Sequence, residues 1–92
     1  MDDALPSAFV YIVRCADGTL YTGWTTDVAR RVAEHNAGRG ARYTRQHGPV
    51  TLVYSEAQPD RSAAMKREEE IKRRGRGYKE RLLQAVGEGP QP

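Results

Sequence analysis

Apolar and polar positions alternate unevenly along the chain, and the unevenness marks the elements. From Ala8 to Arg14 nearly every position is apolar, with Val, Ile, Tyr and Phe predominating. Such a run predicts a strand that is central in its sheet and covered on both faces. Ala16-Asp17-Gly18 is a turn signal, and Thr19 to Trp24 is the returning strand of an antiparallel hairpin. Asp27 is placed to cap a helix over Val28 to about Ala37, which Gly38 ends. Val28 and Val32, with Ala29 and Ala33, form its apolar stripe. Arg39 to Gly48 predicts a basic, glycine-containing loop with room for a helical turn. Val50 to Ser55 predicts a third strand. Asp60 or Ser62 can cap a second long helix running to about Arg74. Gly75 and Gly77 interrupt it, and Tyr78 to Val86 predicts a final helix with Leu82, Leu83 and Val86 apolar.

The predicted order is β-β-α-β-α-α. This is an α+β fold, a small three-stranded, mainly antiparallel sheet flanked by helices. Residues 1–7 and 87–92 have the composition of tails, the last being rich in Gly and Pro. Residues 8–86 form the single domain, with no linker and no internal repeat. At 92 residues the chain suffices for one small core with little stability to spare.

Composition narrows the function. Cys15 is the one cysteine, so an internal disulfide is excluded, and no Cys/His cluster has zinc spacing. No partner base for Cys15 is evident, which favours packing over nucleophilic work. The sequence opens Met1-Asp2-Asp3, with no basic stretch leading into an apolar run, and no stretch is long enough to span a bilayer. A cytoplasmic protein without membrane contact is expected. The net charge of +3 implies little by itself. Its distribution says more: Arg30, Arg31, Arg39, Arg42 and Arg45 stand against the single acid Glu34. A second basic run, from Arg61 to Arg81, includes Arg67, Lys72 and Arg73 among four glutamates. Such clusters attract phosphate, and the arginine fork suits bidentate phosphate contacts. A solvated helix face is the plainer alternative. Arg30, Arg39, Arg42, Arg45, Arg67, Lys72 and Arg73 are the candidate nucleic-acid contacts.

Three groups of residues carry candidate chemistry. The first is Tyr11 and Tyr21, whose relation depends on the hairpin register. A two-residue Asp17-Gly18 turn would set Tyr11 opposite Trp24, with the tyrosines on opposite faces. A three-residue loop, with Gly18 left-handed, pairs Cys15 with Thr19 and sets Tyr11 opposite Gly23. The phenols then share a face as diagonal neighbours, and Gly23 leaves space beside Tyr11. We favour the second register. Both tyrosines are otherwise ordinary strand aromatics. The second group is Arg31 and His35, four apart and so on one helix face. Arginine there can hold a phosphate; imidazole can move a proton or bind phosphate. For His35 alone, a partly buried polar edge is the simpler account. The third is Glu68, which shares a stripe with Ala64 and Ile71, while Glu69 and Glu70 face outward. A carboxylate near a buried face needs a partner. Arg31 or Arg67 would serve, and so would a divalent cation that keeps most of its water, such as magnesium.

Val10-Tyr11-Ile12, Tyr21-Thr22-Gly23, Arg31 and Glu68 in Ala64-Met65-Lys66-Arg67-Glu68 together resemble the GIY-YIG nuclease superfamily, closest to its small stand-alone bacterial members. Tyr21 to Asp27, Glu34 to Gly38 and Gly40 to Arg45 add to the resemblance, which covers roughly Phe9 to Leu83. The resemblance implies a divalent-metal-dependent endonuclease that hydrolyses phosphodiester bonds in DNA, in preference to RNA. It implies Mg2+ or Mn2+ held by Glu68, a general base that is either Tyr11 or Tyr21, and Arg31 stabilising the transition-state phosphate. His35 falls where relatives carry a histidine or tyrosine. Low sequence specificity or structure selectivity is expected, since no recognition module is attached. DNA repair is suggested by analogy alone. A non-catalytic nucleic-acid-binding module, or an adaptor with a protein partner, is the alternative. The first motif reads Val-Tyr-Ile rather than Gly-Ile-Tyr, Thr22 stands where isoleucine is usual, and Trp24 stands where some relatives have lysine.

Overall fold

The computed structural model describes residues 7–85. The expected tails, apart from Ser7, and Val86 of the last helix lie outside the described residues. Three strands form one antiparallel sheet in the order β2-β1-β3: β1 is Ala8–Cys15, β2 is Leu20–Thr25 and β3 is Val50–Gln58. Helix α1 (Val28–Asn36) follows β2, and α3 (Arg61–Ala85) follows β3. The expected helical turn of the basic loop is a short helix, α2 (Arg42–His47). The α+β architecture expected from the sequence is the one observed.

The apolar run of β1 is central for the reason its sequence gives. Alternate residues go to opposite faces. Ala8, Val10 and Ile12 join Ala64 and Ile71 of α3 in one core cluster, with Leu20, Trp24 and Tyr78 at its margin. Tyr11, Val13 and Cys15 join Val50 in a second cluster, against Tyr21, Val28 and Val32. Between Ile12 and Val13 the β1–β3 register shifts, pairing Ile12 with Tyr54 and Val13 with Leu52. The bulge sends both Val53 and Tyr54 toward the α3 side. Thr22 is buried there too, and its hydroxyl has no hydrogen-bond partner.

The hairpin settles the register question. The amide of Cys15 donates to the Thr19 carbonyl at 2.8 Å, and that of Gly18 to the Cys15 carbonyl at 2.9 Å. Gly18 has φ +88°, so the loop has three residues and Tyr11 faces Gly23 while Val13 faces Tyr21. Asp17 closes the turn by accepting from the Thr19 amide and hydroxyl.

Asp27 caps α1 as expected, accepting from the Arg30 amide at 3.1 Å. The stripe facing the sheet differs from expectation. Val28 and Val32 pack inward with His35, whereas Ala29 and Ala33 are exposed. At 100° per residue, 28, 32 and 35 share one narrow arc, and Arg31 lies at its edge. Asp60, not Ser62, caps α3, accepting from the Ala63 amide at 2.8 Å. The kink in α3 is at Gly75 alone (φ 85°, ψ −174°); the helix runs through Gly77. Helix α3 packs on all three strands. No helix among the described residues is long and apolar enough to cross a membrane.

Candidate active site

The hairpin brings both phenols to the face covered by α1, where they meet His35. The Tyr11 hydroxyl lies 2.7 Å from His35 Nε2. The ring centroids of Tyr11 and His35 are 5.8 Å apart, and Tyr21 meets the same imidazole edge-on at 5.6 Å. Tyr11 and His35 are both buried, at 1% and 2% exposure, while Tyr21 is half-buried. Gly23 makes room as expected: a Cβ there would sit 2.5 Å from the Tyr11 hydroxyl oxygen.

His35 is gripped on its other side by the basic loop. Its Nδ1 lies 2.7 Å from the hydroxyl of Thr44 on α2, which donates to the Ala41 carbonyl at 2.9 Å. A Cβ on Gly40 would lie 2.1 Å from His35 Nδ1, so the chain presses against the ring there. Neither Gly40 nor Thr44 was a candidate from sequence. Their role lies in contacts across a loop with no periodicity; only the stretch Gly40 to Arg45 within the family resemblance marked the region.

Arg31 flanks the phenols and is held by Glu34, Nη1 to Oε1 at 3.0 Å. Burial pushes the Tyr11 phenol up to about 12, opposed by the neighbouring Arg31 and reinforced by the charges of Tyr21 and Glu68. Burial also holds His35 below its ordinary value, as does Arg31, while Glu34 opposes them. The imidazole is therefore neutral near neutrality.

Glu68 is partly buried, with 18% of its side chain exposed, and its partner is neither Arg31 nor Arg67. Lys72, one turn on, puts Nζ 3.2 Å from Oε2 of Glu68 and 5.6 Å from the Tyr21 ring centroid. Arg67 belongs instead to an ion-pair network with Glu56 (2.7 Å) and Glu70 (2.9 Å), beside Tyr78. Glu69 is exposed as expected, while Glu70 serves this network. Trp24 lies in the cluster under α3, and Lys72 brings positive charge to the site from another element. No group of three or more His, Cys, Asp or Glu side chains suited to a metal occurs among the described residues.

The remaining basic candidates lie around these groups. Arg30 is exposed and paired with Glu34 at 3.2 Å. Arg42 and Arg45 lie on α2, Arg39 in the segment before it, and Arg73 on α3; all four are exposed. Tyr43 of α2 stacks on Tyr21 (5.9 Å, 17°) and on His47 (4.1 Å, 16°). The His47 carbonyl in turn accepts from the Ala16 amide at 2.9 Å, tying α2 to the hairpin loop.

Comparison with known proteins bears on this constellation. The family described as "GIY-YIG catalytic domain" matches residues 7–81. A UPF0213 protein of Natronomonas pharaonis is 60% identical over 75 residues, covering 82% of this chain and 88% of the relative. A UPF0213 protein of Halobacterium salinarum is 59% identical over 74 residues, covering 80% and 96%. Among solved structures, the solution structure of a UPF0213 protein from Bacillus halodurans superposes with a TM-score of 0.57 at 47% identity, covering 90% of this chain and 87% of that one. That of a protein from E. faecalis gives 0.58 at 35% identity, covering 100% and 97%.

Proposed function

The chain belongs to the GIY-YIG catalytic-domain family, and from that premise we propose that it is a nuclease that hydrolyses phosphodiester bonds in DNA with Mg2+ or Mn2+. The observation that carries the reading is the convergence on the Tyr11 phenol. It is hydrogen-bonded to His35 at 2.7 Å, and Arg31 and Glu68 are near enough to act on its charge.

With its pKa near 12, Tyr11 does not supply a standing phenolate at neutral pH. It can act as a relay. As water attacks phosphorus, the water proton passes to the Tyr11 oxygen and the phenolic proton passes to His35 Nε2. The charge ends on an imidazolium and both groups keep their positions, while the P–O bond to the leaving sugar oxygen breaks and that oxygen takes a proton from solvent. This reading makes Tyr11, with His35, the base and leaves Tyr21 as a flanking phenol. Arg31 is oriented by Glu34 and can bind the equatorial phosphate oxygens.

A cation site fits the donor set in one way. Glu68 is a single carboxylate, and Lys72 already shows that a positive charge is accommodated on it. One carboxylate suits magnesium, whose other ligands are water and phosphate oxygens. Glu68 would hold the ion, which would neutralise charge building on the phosphate. Arg39, Arg42, Arg45 and Arg73 would contact the backbone, which positions a nucleic acid without reading sequence. This supports low sequence specificity or selection by structure.

The second reading, a binding module that does not cut, draws on the Glu68–Lys72 pair and on the burial of Tyr11 at 1%. Cleavage of labelled single-stranded, duplex and branched DNAs, and of RNA, with Mn2+, Mg2+ or chelator decides between them. The protein is run beside Glu68→Ala. Metal-dependent cutting, lost in the variant with DNA binding nearly intact, is the expected result. Salt-sensitive binding by both proteins without cutting would leave the binding module.

A further inference from the structure

His35 is held at both ring nitrogens, and counting hydrogen bonds favours one placement of its proton. The Thr44 hydroxyl has one hydrogen, donated to the Ala41 carbonyl at 2.9 Å. With that hydrogen on Ala41, only lone pairs face His35 Nδ1 at 2.7 Å, and Nδ1 carries the N–H and donates. Nε2 is then the bare nitrogen, and the Tyr11 hydroxyl donates to it at 2.7 Å. The other tautomer would turn the Thr44 hydroxyl onto Nδ1 and give up its bond to the Ala41 carbonyl, which would keep the Arg45 amide alone, so it makes one hydrogen bond fewer. Thr44 is 1% exposed, and the Gly40 backbone closes this side of the ring, where a Cβ would lie 2.1 Å from Nδ1.

We propose that Thr44 is a positioning residue that holds His35 in the tautomer able to take the Tyr11 proton. It acts through the imidazole and touches no reacting atom. Its effect on rate rests on the reading of Tyr11 and His35 as the proton-transfer pair; its effect on the tautomer does not. A ring turned to the wrong tautomer presents a hydrogen where the relay needs a lone pair.

The test reads both effects in the full chain. Long-range 1H–15N spectra at pH 8 report the protonation of each His35 nitrogen in the native protein, Thr44→Ser and Thr44→Val. A protonated Nδ1 and a bare Nε2 are expected in the first two. In Thr44→Val the population moves toward protonated Nε2. Cleavage of labelled DNA by Thr44→Val falls ~10–100-fold in kcat with KM little changed, and Thr44→Ser restores it. Should Thr44→Val not fold, Thr44→Ala also removes the acceptor and leaves more room. A protonated Nε2 in the native protein overturns the proposal. So does an unchanged tautomer in the variants that lack the hydroxyl. If the native protein cuts no DNA, the nuclease reading fails while the spectra still decide the role of Thr44 in the tautomer.

Discussion

Arg31 and Glu68 both lie by the tyrosines, but neither pairs with the other as the sequence allowed: Glu34 holds Arg31 and Lys72 holds Glu68. Arg31 leans on Glu34, one turn along its own helix, and this pair holds the guanidinium beside Tyr11. Replacing Arg31 with Ala removes the donor while leaving Tyr11 and His35 in contact. Cleavage should then slow by about 10²–10³-fold, the usual cost of losing one transition-state donor. Single-turnover rates on labelled DNA check this, and a normal rate would remove Arg31 from the site. Glu68 was legible because it shares a stripe with Ala64 and Ile71. Its pairing with Lys72 follows the same i,i+4 geometry, yet the carboxylate's wish for a partner did not by itself single out that lysine. Thr44 and Gly40 were legible only as members of the stretch Gly40 to Arg45, with no role attached. A hydroxyl in an irregular segment shows its role only once the segment is folded over the ring it touches.

Among the elements, the hairpin was read best. Ala16-Asp17-Gly18 left two registers open, and the three-residue loop that puts both phenols on one face is the one observed, with Gly18 at the positive φ it requires. An L side chain is strained there although the surrounding space is empty. Gly18→Ala should therefore destabilise the protein by about 1–2 kcal/mol without a steric clash. Urea unfolding of the variant measures this, and an unchanged midpoint would show that the turn does not pin the register. Helix α1 was less legible. Four small apolar residues suggested a broad stripe, but only the two valines face the sheet, and His35 fills the third inward position. Period alone does not tell a buried histidine from a polar edge. Gly75 and Gly77 were both expected to break the helix after Arg74. The break falls at Gly75, because only there does the backbone leave helical geometry.

For the molecule as a whole, the buried imidazole makes stability depend on acid. His35 has its pKa lowered, chiefly by burial and then by Arg31. The unfolded chain therefore binds its proton more readily than the folded one does. The corresponding stability is fully present above the ordinary value of 6.5 and is lost as pH falls below it toward the depressed folded-state value. Asp17, Glu34 and Glu70 have lowered values too, but their ordinary values are 3.8 and 4.5, so they act at lower pH. Melting temperatures between pH 7.5 and 5.5 should fall in the native protein and change less in His35→Gln. Equal slopes would mean that His35 does not carry the effect.

Cys15 is a packed side chain. It closes the second core cluster at the base of the hairpin, 4% exposed, with its amide bonded to Thr19. As the one thiol in the chain, it is also a built-in reporter. A thiol reagent can reach it only when the hairpin base opens, so the labelling rate counts openings. Labelling should be slow in the native protein and should accelerate in Gly18→Ala in proportion to the stability lost. Equal rates in the two would mean that the thiol is reached without opening the turn. The least reactive-looking residue in the site's neighbourhood thus gives a direct measure of how often the scaffold beneath Tyr11 and Tyr21 comes apart.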